Sequence, residues 1–154
     1  MKIEKYLESS PVFTLTRAYE KIIVDLQLRL RREGVNLTQA WIVVALFFEN
    51  KPASPSRLAK TLETSPSNIS HSLKKLIHAG WAHRALDSTD GRAYLIELTS
   101  LGKRRAVQLI RIFDGLQTVF ESQVGSRGLM VWNKRAKMIE DVYKWKYSST
   151  SAIF

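Results

Sequence analysis

The sequence predicts a mainly α-helical fold with one small β-hairpin, and three observations lead to this class. Apolar residues recur three and four positions apart over long stretches at both ends of the chain, which is typical of amphipathic helices. Two Ser-Pro pairs, at positions 54–55 and 65–66, introduce two short helices in the middle of the chain. Further along, the apolar period changes from 3.6 to 2, and an Asp-Gly pair at positions 90–91 indicates a hairpin turn.

The first long helix carries one apolar stripe and ends near Gly34. The stripe consists of Val12, Leu15, Tyr19, Ile22 and Leu26. The next helix is expected from about Gln39 to Asn50, with Thr38 as its N-cap. Its apolar residues lie nearly all the way round the helix, which predicts burial on most sides.

Two short helices separated by a tight turn predict a helix-turn-helix. The first is expected from about Pro55 to Leu62, and the second from about Pro66 to Ala79, where Gly80 ends the helix. Only three residues connect them. Strands from Trp81 to Leu86 and from Ala93 to Leu98 then form a hairpin, so this part of the chain is predicted to be a winged helix-turn-helix.

The helices at the two ends flank this central part and are predicted to form a dimer interface. Thr99 caps another long helix, and a break at positions 125–128 separates it from the last helix. The apolar stripes of these helices consist of Ala106, Leu109, Phe113, Leu116, Phe120 and Val124, then Leu129, Trp132, Ala136, Ile139 and Tyr143. We expect one domain over residues 1–154. Residues 38–99 would form the winged helix-turn-helix that binds DNA, and residues 1–37 and 100–154 would form the interface of a homodimer. A larger monomer core is the alternative.

Composition and charge limit the function classes. The 154 residues are 45% hydrophobic and 25% charged, as in globular proteins. No apolar run reaches the roughly 18 residues of a membrane span, and no signal-peptide core is present, so we expect a cytoplasmic protein without membrane contact. Cysteine is absent, which excludes disulfides and thiol chemistry. The net charge is +10, and residues 51–105 hold ten basic against four acidic residues, which favours a polyanionic partner.

The second short helix of the central part has a polar face without acidic residues. Its apolar side consists of Ile69, Leu73, Leu76 and Ile77, and its polar side of Ser67, Asn68, His71, Lys74, Lys75 and His78, with Ser70 and Ser72 on the flanks. An ordinary solvated face usually carries charges of both signs, so this face favours the major groove of DNA. There Asn68 would pair with adenine and the lysines would reach guanine or phosphate, while Ser65 and the other first-turn hydroxyls suit a phosphate.

The hairpin and the first short helix add basic side chains. Arg92 at the hairpin tip is expected to reach the minor groove, with Asp90 bracing the turn or orienting Arg92. Arg84 and Arg57 are candidate phosphate contacts. A solvated turn residue is the alternative role for Arg92.

Two segments resemble the MarR (multiple-antibiotic-resistance regulator) family of bacterial transcription factors. The triplet Asp90-Gly91-Arg92 and the segment Leu98-Thr99-Ser100-Leu101-Gly102 are similar to the wing signature of that family, Asp-x-Arg leading into Leu-Thr-x-x-Gly. The segments at residues 37–41, 58–59 and 65–80 fit its second helix, first short helix and recognition helix. The resemblance implies that Ser67, Asn68, Ser70 and His71 face bases or nearby phosphates, and that Arg92 enters the minor groove. Many members have Arg where His71 stands and a second basic residue where Gly91 stands.

The resemblance also implies a small-molecule effector. Members of the family bind small aromatic anions between the dimer helices and the winged domain, and the aromatic residues that would line such a pocket here are Trp41, Phe47, Phe48, Phe113 and Phe120. Packing in the core is the alternative role for these side chains.

The expected function is that of a transcription regulator, with repression favoured over activation, that binds a pseudo-palindromic operator as a homodimer. No catalytic set, cofactor site or metal site is predicted, because the three histidines lack partners at suitable spacing. The alternative is a winged-helix module that docks other proteins without sequence-specific DNA binding.

Overall fold

The computed structural model describes residues 2–86 and 94–150, with side chains up to residue 144. The chain divides into two compact units, residues up to 113 and residues from 114 onward. The elements, in chain order, are α1 (Ile3–Ser9), α2 (Pro11–Arg32), α3 (Leu37–Glu49), α4 (Pro55–Thr61), α5 (Pro66–His78), β1 (Ala82–Leu86), β2 (Tyr94–Leu98) and α6 (Ser100–Thr150). The mainly helical fold with a small hairpin wing is therefore confirmed.

Helix α2 is the predicted first long helix, and a short helix that the sequence pattern did not predict, α1, precedes it. Ser10 caps α2 by accepting a hydrogen bond from the Phe13 amide. Burial begins only near the C-terminal end of the apolar stripe, where Leu26 and Leu30 enter the core. The stripe near the beginning of α2 stays open to solvent, with Val12 71% and Tyr19 63% exposed.

Helix α3 begins at Leu37, and its N-cap is Asn36. The prediction of Thr38 as the cap is wrong, because Asn36 and Gln39 form a capping box. The Asn36 side chain accepts from the Gln39 amide, and the Gln39 side chain accepts from the Asn36 amide, both at 2.9 Å. Thr38 therefore lies in the first helical turn and its hydroxyl is available for another contact.

The core of the first unit is built around α3. Ile42 and Val43 are fully buried, which confirms the predicted burial of this helix, although Trp41 and Phe48 remain exposed. Apolar side chains from the neighbouring elements complete the core: Leu30, Leu58, Ile69, Leu73, Leu76, Ile96, Ala106 and Leu109.

The hairpin is antiparallel and pairs Ala82 with Leu98 and Leu86 with Tyr94. Strand β1 begins one residue later than predicted, and the predicted first residue of β2, Ala93, lies outside the described residues. Ala53, just before α4, adds a short bridge to the outer side of β2, exchanging hydrogen bonds of 3.0 and 2.9 Å with Ile96. This bridge fixes the hairpin against the helix-turn-helix.

The first turn of α6 is attached to the end of α5 through Thr99. Its hydroxyl donates to the Gly80 carbonyl at 2.7 Å and accepts from the Gly102 amide at 3.0 Å, which confirms Thr99 as the cap. One turn later, Arg105 lies over the Trp81 ring, 5.2 Å from its centroid, and pairs with Glu33 at 3.2 Å. These contacts join α2, the strand entry and α6 within the first unit.

The second unit is helical, and Gly125, with φ 69° and ψ 165°, interrupts the helix at the predicted break. Many of its large apolar side chains are exposed: Val119, Phe120, Val124, Met130, Val131, Trp132, Met138, Ile139, Val142 and Tyr143. None of the helices that the structure describes is long and apolar enough to cross a membrane.

Candidate nucleic-acid interface

Helix α5 presents the predicted polar face to solvent. Ser65 caps the helix by accepting from the Asn68 amide at 3.2 Å, and Pro66 occupies the first helical position. The burial of Ile69, Leu73 and Leu76 fixes the rotation of the helix. As a result, all seven predicted contact residues of this segment are exposed: Ser65, Ser67, Asn68, Ser70, His71, Lys74 and Lys75.

This face is electrostatically one-sided. Helix α5 contains no Asp or Glu, whereas Lys74 and Lys75 both lie exposed on it. An exposed surface of this kind attracts a polyanion, and the hydroxyl, amide and imidazole groups beside the lysines supply hydrogen-bonding partners for base edges.

Ser72 departs from its predicted flanking position. It is 1% exposed, and its hydroxyl has no hydrogen-bond partner among the described residues. The apolar face of α5 is thus wider than the sequence pattern indicated, and Ser72 belongs to the core instead of the interface.

Asn68 makes a contact that the sequence did not predict. Its side-chain nitrogen donates to the Thr64 hydroxyl at 3.0 Å and to the Thr38 hydroxyl at 3.3 Å. Thr38 is 30 positions away in the sequence, so no local pattern could indicate this contact. The amide of Asn68 therefore links the first turn of α5 to the first turn of α3.

The hairpin places Arg84 on its exposed side. The Arg84 guanidinium lies 4.5 Å from the centroid of the Tyr94 ring, an arrangement that orients it while leaving its N–H groups available. Across the strands, His83 lies 3.8 Å from the Glu97 carboxylate. The predicted wing-tip residues Asp90 and Arg92 lie outside the described residues.

Arg57, at the start of α4, is paired with an acidic residue. One of its terminal nitrogens lies 2.9 and 2.8 Å from the two carboxylate oxygens of Glu49 at the end of α3. Lys51 is 4.0 Å from the same carboxylate. A phosphate would therefore have to compete with Glu49 for the half-exposed Arg57 guanidinium.

Four of the five predicted ligand residues form two pairs, whereas Phe120 belongs to the second unit and is exposed. Trp41 stacks on Phe113, with ring centroids 4.1 Å apart, and Phe47 meets Phe48 edge to face at 5.9 Å. The second pair borders a surface depression of about 340 Å³. Its lining also includes Leu46, Asn50, Lys51, Glu97, Leu98 and Lys103.

One family model matches the chain. Residues 35–102, from just before α3 to the first turn of α6, match the family described as winged helix DNA-binding domain. No curated protein sequence matches the chain.

Solved structures of transcription regulators share the fold. The complex of S. aureus MepR with DNA has a TM-score of 0.74 at 17% identity, over 88% of this chain and 98% of that chain. A MarR family transcription regulator has a TM-score of 0.75 at 18% identity, over 92% and 95% of the two chains. CouR from Rhodococcus jostii RHA1, bound to p-coumaroyl-CoA, has a TM-score of 0.70 at 18% identity, over 88% and 93%.

Proposed function

We propose that this chain is a transcription regulator that binds double-stranded DNA. It carries a winged helix DNA-binding domain and has the fold of MarR family transcription regulators. The observation that carries the proposal is the exposed, acid-free face of α5 within the matched domain. The contact residues proposed are Ser65, Ser67, Asn68, Ser70, His71, Lys74, Lys75, Arg84, Asp90 and Arg92. Such a partner places the protein in the cytoplasm, at the nucleoid.

The proposed regulator is a homodimer. Both units leave large apolar side chains exposed, among them Val24 and Leu28 in α2 and Met138 and Val142 in α6, and a second copy would cover them. Two winged domains related by a two-fold axis would occupy major grooves about one helical turn apart, so the operator would be pseudo-palindromic. Repression, by blocking a promoter, is the proposed outcome of binding.

An electrophoretic shift assay on duplexes selected from a random pool tests the DNA proposal. We expect a two-fold symmetric site whose affinity falls about 10³-fold between 50 and 200 mM salt, because phosphate contacts release counterions. The double variant Lys74→Gln, Lys75→Gln should have a shallower salt slope by up to about 2, whereas Lys137→Gln, outside the matched domain, should not. No binding to any duplex at low salt contradicts the proposal and leaves protein docking as the function.

Sedimentation equilibrium tests the dimer. Leu28→Glu would place a charge on the exposed apolar face of α2 and should yield monomers, whereas Gln27→Glu introduces the same charge at a neighbouring exposed polar position and should not. A wild-type monomer at micromolar concentration contradicts the proposal.

A small aromatic or anionic effector that releases DNA completes the proposed function. The depression beside Phe47 and Phe48 supports this, because Lys51 and Lys103 on its lining would attract a carboxylate or phosphate. The Trp41–Phe113 stack supplies a second aromatic surface. Titration of the protein–DNA complex with a panel of aromatic carboxylates, followed by fluorescence anisotropy of the DNA, tests this part.

A further inference from the structure

Only the nitrogen of the Asn68 side-chain amide has hydrogen-bond partners among the described residues. A primary amide has two N–H donors and one carbonyl acceptor. Both donors have partners, the hydroxyls of Thr64 at 3.0 Å and Thr38 at 3.3 Å. Among the described residues, none donates a hydrogen bond to Oδ1. The residue nevertheless lies exposed on the polar face of α5.

This arrangement restricts what Asn68 can recognise. An asparagine that pairs in two ways with adenine donates from Nδ2 to N7 and accepts at Oδ1 from N6. With Nδ2 already occupied by two threonines, only the acceptor remains. The exocyclic amines of adenine and cytosine are the donors in the major groove, whereas guanine and thymine present acceptors there.

We propose that Thr38 and Thr64 are positioning residues of the DNA interface. They hold the Asn68 amide so that Asn68 contacts a base through Oδ1 alone, at a position where adenine and cytosine are both accepted. The proposal rests on the DNA binding proposed above. Thr38 belongs to the first turn of α3, Thr64 to the turn before α5, and Asn68 to the first turn of α5. Two threonine hydroxyls thus determine which part of the amide is presented to DNA.

Base selection by full-length variants tests the specificity. The wild type should accept adenine and cytosine to similar extents, about tenfold above guanine and thymine, at one position of each half-site. Asn68→Ala should remove that preference and identify the position. Thr38→Val and Thr64→Val each free one N–H of the Asn68 amide, because valine keeps the shape of threonine but lacks the hydroxyl. In both variants the base preference at that position should narrow to adenine. Thr61→Val, the same kind of substitution at an exposed position of α4 outside the proposed contacts, should leave the base preference at that position unchanged.

Three results of this selection overturn the proposal. A wild-type preference for adenine alone means that the amide pairs in two ways despite the threonines. A preference for guanine or thymine means that Nδ2 points outward and Oδ1 accepts from the hydroxyls. Identical base profiles for the wild type and both valine variants mean that the threonines do not control the amide.

A double-mutant cycle without DNA tests the link itself. Urea midpoints are compared for the wild type, Thr38→Val, Asn68→Ala and the double variant, at one protein concentration. We expect the double variant to lose clearly less stability than the sum of the two single losses. The stability losses in Thr38→Val and in Ser67→Ala, by contrast, should be additive. Additive losses for Thr38→Val and Asn68→Ala overturn the positioning role alone. Failure of the wild type to bind any duplex instead overturns the proposed function, and with it the base contact.

Discussion

Gly102 packs so closely against Trp81 that a Cβ atom at position 102 would collide with the Trp81 carbonyl oxygen. That carbonyl also accepts a hydrogen bond from the Thr99 amide at 3.0 Å. Together, Thr99 and Gly102 let the first turn of α6 approach the backbone that follows α5. The spacing Leu-Thr-x-x-Gly therefore has a structural reason, since the threonine caps the helix and the glycine admits the neighbouring carbonyl.

Gly102→Ala should lower the free energy of unfolding by about 2 kcal/mol, because the added methyl group must displace backbone and not a flexible side chain. Urea denaturation measures this. Gly115→Ala is the matched control within α6: a Cβ there meets no atom within 4 Å, and alanine should raise stability by about 0.5–1 kcal/mol through its helix propensity. Equal effects of the two substitutions would contradict the close approach.

Local patterns predicted the elements of the central part well. The Ser-Pro pairs mark the beginnings of α4 and α5 because the serine caps and the proline needs no amide partner, and both signals act within four residues. The prediction of Thr38 as the N-cap is wrong because Asn36, two residues earlier, forms a capping box with Gln39. The choice between two nearby capping residues depends on side-chain geometry, which residue type alone does not determine.

Long-range contacts could not be predicted from the sequence. The Asn68–Thr38 hydrogen bond spans 30 positions and the Arg105–Glu33 contact spans 72. Residue type and helical projection placed Asn68 on the correct face, but they could not show that its nitrogen is occupied. The same applies to Ser72, because its burial depends on how closely α5 packs on its neighbours and not on its position around the helix.

Ser72→Ala should stabilise the protein by about 1 kcal/mol. The buried hydroxyl has no partner among the described residues, so its removal abolishes a desolvation cost, and alanine also favours the helix. Thermal unfolding of Ser72→Ala measures the gain, with Ser70→Ala, an exposed serine of the same helix, as control. A gain no larger than that of Ser70→Ala would show that the Ser72 hydroxyl is satisfied in solution.

Tyr94→Leu should weaken DNA binding by about 0.5–1 kcal/mol, because the ring orients the Arg84 guanidinium 4.5 Å from its centroid. Tyr94→Phe retains an aromatic face and should bind nearly as the wild type does. Anisotropy titrations at several salt concentrations measure both. Arg84→Ala should also reduce the salt slope by about 1, as expected for a lost phosphate contact. A loss in Tyr94→Phe as large as in Tyr94→Leu would instead assign the effect to the tyrosine hydroxyl.

Arg92→Ala should weaken operator binding by about 1–3 kcal/mol if this wing residue contacts the minor groove, as the sequence predicts. The loss should be largest on operators with A·T pairs at the wing position, where the groove is narrow and its potential most negative. Arg111→Ala is the control, because it removes the same charge at an exposed position of α6. Unchanged affinity in Arg92→Ala would refute the minor-groove role.

Glu49→Gln should raise DNA affinity severalfold on all sequences, because it releases the Arg57 guanidinium that the two carboxylate oxygens hold at 2.9 and 2.8 Å. A half-exposed ion pair is worth no more than about 1 kcal/mol, so phosphate competes with Glu49 for Arg57 on similar terms. Binding of Glu49→Gln, Arg57→Ala and the double variant is compared by anisotropy. If Arg57 contacts phosphate, the gain from Glu49→Gln should disappear in the Arg57→Ala background. A gain that persists in the double variant would show that Glu49 acts on DNA by direct repulsion, without Arg57.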